Sequence, residues 1–98
     1  IYFFSFSVLY SINLMKRIER VLNLLNSSLK TFDFEIKDNS SFHVGHNSFD
    51  GLGETHLLIL IYNKSNEKPN RLEIHKKINN LLKDEFNNGL HSVEIKIN

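Results

Sequence analysis

Ninety-eight residues support one small domain whose core buries about two thirds of the unfolded chain's surface, and they leave no room for a second domain. Formal net charge is +1, from 12 basic and 11 acidic residues, and the longest basic run is Lys76-Lys77, which excludes the concentrated basic face that non-specific phosphate binding needs. With no cysteine, disulfides cannot hold the fold, and any metal or cluster bound by this chain alone must use His, Asp or Glu.

Ile1 to Leu14, IYFFSFSVLYSINL, carry no charge, but the run is shorter than the roughly 20 residues of a membrane-spanning helix, so no membrane span is expected. It also lacks the basic n-region of a secretory signal and the Arg-rich character of a mitochondrial presequence. Because Met15 stands directly before the first amphipathic stretch, residues 1–14 read as a tail separate from a domain at 15–98. That tail is expected to be a targeting remnant, upstream sequence, or an apolar segment that packs on the domain or is disordered.

From Met15 to Leu29, Ile18, Val21, Leu22, Leu25 and Leu29 form a helical stripe opposite Lys16, Arg17, Glu19 and Arg20, which predicts a surface helix lying on a sheet. Thr31 to Lys37 alternates strictly, with Phe32, Phe34 and Ile36 against Asp33, Glu35 and Lys37, and predicts a strand with one buried face. Asp38 to Gly53 is polar, glycine-containing and without a period, so it reads as a loop. Its length of about sixteen residues exceeds an ordinary hairpin connection.

His56 to Tyr62, HLLILIY, is apolar on both parities, as expected for the middle strand of the sheet, covered on one side and flanked on both edges. After the polar connector Asn63 to Asn70, Leu72, Ile74, Ile78, Leu81, Leu82 and Phe86 recur at helical spacing. Pro69 fits the first turn, and Asn87, Asn88 and Gly89 provide a stop. Val93, Ile95 and Ile97 then alternate with Ser92, Glu94 and Lys96 in a closing strand.

The order α-β-β-α-β, with room for a short extra helical turn before His75, gives an α/β (α+β) chain with a three-stranded mixed sheet covered by helices. The first two strands pair antiparallel across the long loop. The helical crossover makes the last two parallel and right-handed.

The five histidines are where chemistry could reside. His56 and His91 open strands, where a histidine making backbone hydrogen bonds is the ordinary account. His43 and His46 stand three apart in the long loop, and His75 lies on the second helix beside its apolar stripe. Residue chemistry alone leaves surface and ligand roles open for these three.

The order of short motifs resembles the BolA family. His75, Lys76, Ile78 and Asn79, followed by Leu-Leu-Lys-x-Glu, Gly and Leu-His-x-x-x-Ile, match its C-terminal half. In FEIKDNSSFHVGH, Ser40, His43, Gly45 and His46 fall in register, with Asn39 where Glu is usual, and Glu54-Thr55-His56-Leu57 matches the family's next strand opening. The resemblance covers about Lys16 to Ile97. It departs at Ile74, where Arg is usual, and at Asn66 and Lys68, where Phe and Gly are usual.

The resemblance implies a class II KH-like fold and a non-enzymatic adaptor that pairs with a monothiol glutaredoxin to hold a 2Fe-2S cluster. In that arrangement the glutaredoxin cysteine and a glutathione thiolate bind one iron. The family's C-terminal helix histidine, matched by His75, and a loop His or Cys, matched by His43 with His46 as rival, bind the other. Imidazole in place of thiolate makes such a cluster less negative and raises its potential.

The alternative function is a KH-like nucleic-acid-binding regulator, but the KH mode needs a Gly-x-x-Gly loop and the connector KSNEKPN has no glycine. No nucleophile and base pair suggests an enzyme. The histidine-type loop leans the expected location to the mitochondrion, with the cytoplasm as alternative.

Overall fold

The computed structural model describes residues 15–40 and 53–98. The elements among them are α1 (Arg17–Ser28), β1 (Phe32–Asp38), β2 (His56–Asn63), α2 (Arg71–Leu81), α3 (Lys83–Asn87) and β3 (Ser92–Ile97). The sheet order is β1-β2-β3. β1 and β2 are antiparallel with Phe34 opposite Ile61 and Ile36 opposite Ile59, while β2 and β3 are parallel with Leu57 beside Val93 and Ile59 beside Ile95. The mixed α+β sheet expected from the element order is the one that forms.

Alternation decides which side of each strand is buried. Leu57, Ile59 and Ile61 of β2 are at most 2% exposed and join Val21 and Leu25 of α1, Ile78 of α2 and Leu82 in one core, with Phe34, Ile36, Val93 and Ile95 packed against it. Leu58 and Leu60, on the opposite parity, are only half-buried. The apolar character of β2 on both parities therefore reflects two environments: a helix-covered core side, and an outer side flanked by β1 and β3.

The second helix departs from the single run that the period suggested. It begins at Arg71, two residues later than Pro69 implied, because the Asn70 side chain accepts the Glu73 N–H at 3.1 Å and acts as the N-cap, leaving Pro69 outside. Leu72 does not belong to the buried stripe: at 100° per residue it lies about 200° from Ile74, and it is 66% exposed.

The helix is also interrupted at Leu82, whose φ of −94° and ψ of 9° fall outside the helical basin. The Leu82 N–H still bonds to Ile78 O, and Phe86 N–H to Leu82 O, both at 3.0 Å, so the break is a local kink. Asn79 and Asn80, poor helix formers, precede it. The extra helical turn thus lies after His75, as α3, and the connector 64–70 before it is not helical.

α3 brings Glu85, 7% exposed, between two arginines of α1. Arg17 Nε donates to Glu85 Oε1 at 2.9 Å, and Arg20 donates through Nη2 to Oε1 and through Nε to Oε2, both at 2.8 Å. Arg17 also donates to the backbone oxygens of Glu54 and Asn88, at 2.8 and 2.7 Å. Glu54 in turn accepts the Ile18 N–H at 3.0 Å, so the start of α1, which has no side-chain cap of its own, is capped from the residue just before β2. One buried carboxylate thereby ties α1, α3 and the entrance to β2 together. The hydrogen bond from Arg20 is the largest influence holding the Glu85 carboxyl below the usual carboxylate range, followed by the opposing effect of burial and the help of Arg17.

Two measurements check this arrangement. Ile78→Ala, which empties a fully buried position, should cost roughly 2 to 5 kcal/mol in chemical denaturation, whereas Leu72→Ala should cost under about 0.5 kcal/mol. Because the folded state keeps Glu85 ionised at lower pH than the unfolded chain does, its contribution is complete above the ordinary glutamate range. It is lost as pH falls through the folded value. The stability difference between the wild-type chain and Glu85→Gln should therefore be constant near neutral pH and shrink on going to about pH 3, and a difference that grows on acidification would contradict the ion network.

Candidate functional site at the histidine end of the sheet

The chain leaves β1 at Asp38–Ser40 and re-enters at Gly53–Thr55, and these two ends are pinned to each other. The Asp38 carboxylate accepts the Ser40 N–H at 2.9 Å with one oxygen and the Glu54 N–H at 3.0 Å with the other. Ser40 Oγ accepts the N–H groups of Thr55 and His56, at 2.8 and 3.2 Å, and lies 3.2 Å from Thr55 Oγ1. Ser40 and Thr55 are 2% and 3% exposed, so these hydroxyls work in a dry environment where their hydrogen bonds are costly to lose.

Burial pushes the Asp38 carboxyl up, but the hydrogen bonds from Ser40 and Glu54 and the nearby His56 more than offset this and hold it below its usual range. Gly53 and Glu54 have φ of 76° and 56°, and the strain of a left-handed glutamate is held by its contacts to Asp38, Ile18 and Arg17.

Two histidines meet beside this junction. The parallel register sets His56 beside Ser92, and Thr55 O accepts the N–H groups of His91 and Ser92, at 2.7 and 3.2 Å. The His56 and His91 rings meet edge to face with centroids 5.3 Å apart. His56 is half-buried, with Nδ1 2.9 Å from Thr55 Oγ1. The His91 ring, on an exposed residue, is open to a ligand or partner. Both histidines make the backbone hydrogen bonds expected of strand openings, and they also form a pair that the sequence reading missed. The signal for it was the parallel alignment of HLLILI with SVEIKI, which puts His91 next to Thr55 and His56.

The expected ligands fall in different places. His43 and His46 lie outside the described residues. His75 is half-buried and is the fifth residue of α2, in its second turn. α2 starts beyond the Asn63 end of β2 and runs back toward the start of β3, so about 9 Å of helix still follows His75 before Leu81. His91, not His75, is therefore tied to the junction where the long loop is rooted. Among the described residues no three His, Asp or Glu side chains are gathered in a way that could hold a metal ion.

Comparison with known proteins agrees with this framework. A family model described as BolA-like protein matches residues 13–98. A relative named Protein BOLA1, chloroplastic, from Arabidopsis thaliana is 32% identical over 81 residues, 81% of this chain and 51% of that one. The solved structure of BolA1 from Arabidopsis thaliana is similar with a TM-score of 0.67 at 30% identity, covering 86% of this chain and 92% of that one. The structure of the BolA domain of SufE1 from the same organism gives a TM-score of 0.68 at 31% identity over the same shares. With its family model spanning nearly the whole chain and its fold matched at this identity, the chain belongs to the BolA-like family.

Proposed function

We propose that this protein is a non-enzymatic adaptor of iron-sulfur metabolism that pairs with a monothiol glutaredoxin to share a 2Fe-2S cluster. Family membership supports the class of function, and the pairing of His91 with His56 beside the root of a loop that itself carries His43 and His46 is the observation that carries it to a site. Imidazole is the donor this cysteine-free chain can offer to a cluster iron. The cluster, when bound, would supply redox and cluster-transfer chemistry, and the partner's cysteine and glutathione would complete its ligands.

For this chain's own ligands the resemblance pointed to His75 with His43 or His46. The topology favours His91 as the partner of the loop imidazole, because its backbone is bonded to Thr55 and Thr55 to Ser40, three residues from His43. His75 remains the rival. The buried Ser40–Thr55 pair, with the Asp38 carboxylate beside it, would hold the two loop ends at a fixed separation, so that only the loop itself has to adjust to the cluster. An organellar location accompanies this reading, since a relative carries a chloroplast designation in its name. The mitochondrion is the expected compartment here.

The test is reconstitution with a monothiol glutaredoxin, iron, sulfide and glutathione, followed by visible absorption and circular dichroism. His91→Ala should remove the mixed-ligand spectrum and leave the apo fold intact, and His75→Ala should leave the spectrum unchanged. The reverse result would return the role to His75. His43→Ala should weaken the cluster partially, because His46, three residues on, can substitute. Absence of a shared cluster under any condition with the wild-type chain would reject the function itself.

A further inference from the structure

The side of the sheet facing away from the helices carries an ordered charge pattern that the proposed function does not use. Read across the strands, Glu35, Leu60 and Lys96 stand side by side in one row and Lys37, Leu58 and Glu94 in the next. Tyr62, 41% exposed, continues the apolar line along β2, and Leu58 and Leu60 are half-buried between the flanking charges. Those charges are weakly engaged at home. Lys96 and Glu94 approach only to 4.0 Å with side chains 58% and 62% exposed, and Glu35 accepts from the Tyr62 hydroxyl at 3.4 Å.

From β1 to β3 the two rows run negative, apolar, positive and then positive, apolar, negative. A two-fold axis lying between two such faces and parallel to β2 exchanges the β1 and β3 sides while keeping the level along the strand. It sets Glu35 of one copy against Lys96 of the other, Lys37 against Glu94, and Leu58 and Leu60 against their counterparts. An isologous contact requires this kind of self-complementarity. The roughly 30° rotation usual between aligned sheets displaces groups 5 Å from the axis by about 2.5 Å, which a lysine side chain spans.

We propose that this open sheet face is a contact between two copies of this chain. An uncharged segment such as Ile1 to Leu14 could cover the leucines but would leave the charged groups on either side without partners. Three strands by about six residues make a patch of roughly 15 by 20 Å. That is smaller than the ~800 Å² per partner of a standard stable interface, so the dimer is weak and concentration-dependent.

Sedimentation velocity on the full chain from about 10 μM to about 1 mM should therefore show reversible dimerisation. Glu35→Lys alone opposes lysines at two symmetry-related places, and Lys96→Glu alone opposes glutamates. Each should weaken self-association about tenfold. An equimolar mixture of the two variants should associate as well as the wild-type chain, because each heterodimer regains both opposite-charge contacts. Lys37→Glu mixed with Glu94→Lys should behave the same way. A chain that stays monomeric throughout, single variants that self-associate like wild type, or mixtures that fail to recover would each overturn the proposal.

Discussion

Among the described residues, helices cover one face of this three-stranded sheet and not the other, and most of the molecule's properties follow from that constraint. Each strand has to sort its side chains by parity, which is why Leu57, Ile59 and Ile61 vanish into the core while Leu58 and Leu60 do not. A sheet with a single covered face also has to be sealed at its ends. At the end where β2 begins, the sealing is done by the buried Ser40 and Thr55 hydroxyls and by Glu85 between two arginines, with the exposed Asp38 carboxylate bridging the chain ends outside them. Each is satisfied, as the energetics of dry polar atoms demand.

The fold was largely legible in the sequence because period is a local property. Strict alternation from Phe32 to Lys37 and from Ser92 to Ile97, and the stripe Ile18-Val21-Leu25, can be read without knowing what they pack against. The errors came where tertiary contacts outrank propensity. Leu72 is apolar and helical but lies on the wrong side of α2, and spacing at 3.6 residues tolerates a member half a turn away when the window is short. The kink at Leu82 had only two asparagines to announce it. Its apparent purpose, bringing Glu85 to Arg17 and Arg20, depends on residues about 65 positions earlier.

The site was less legible, and for a physical reason. The family resemblance singled out His75, His43 and His46, each carried by a local motif, while the residues alone left their roles open. His91 gains its interest from a backbone hydrogen bond to Thr55, 36 positions away, and from a ring contact with His56. Neither leaves a trace in hydrophobic period. Only the register of two parallel strands, joined by a crossover of nearly thirty residues, creates it. Strand openings are easily dismissed as structural for the same reason: what lies beside them is decided by a different part of the chain.

The two surfaces identified here are not independent. His56 has the parity of Leu58 and Leu60, and it stands at the end of the open face beside Ser92. A two-fold axis parallel to β2 keeps the direction of the strands, so both copies of a dimer would present their histidine ends on the same side of the assembly. A glutaredoxin seated at that end would then crowd the second copy. If it binds the single chain better than the pair, thermodynamic linkage requires the converse, that self-association lowers apparent affinity for the partner by the same factor. The open face would then act as a concentration-dependent competitor for the histidine site, without contributing a ligand of its own.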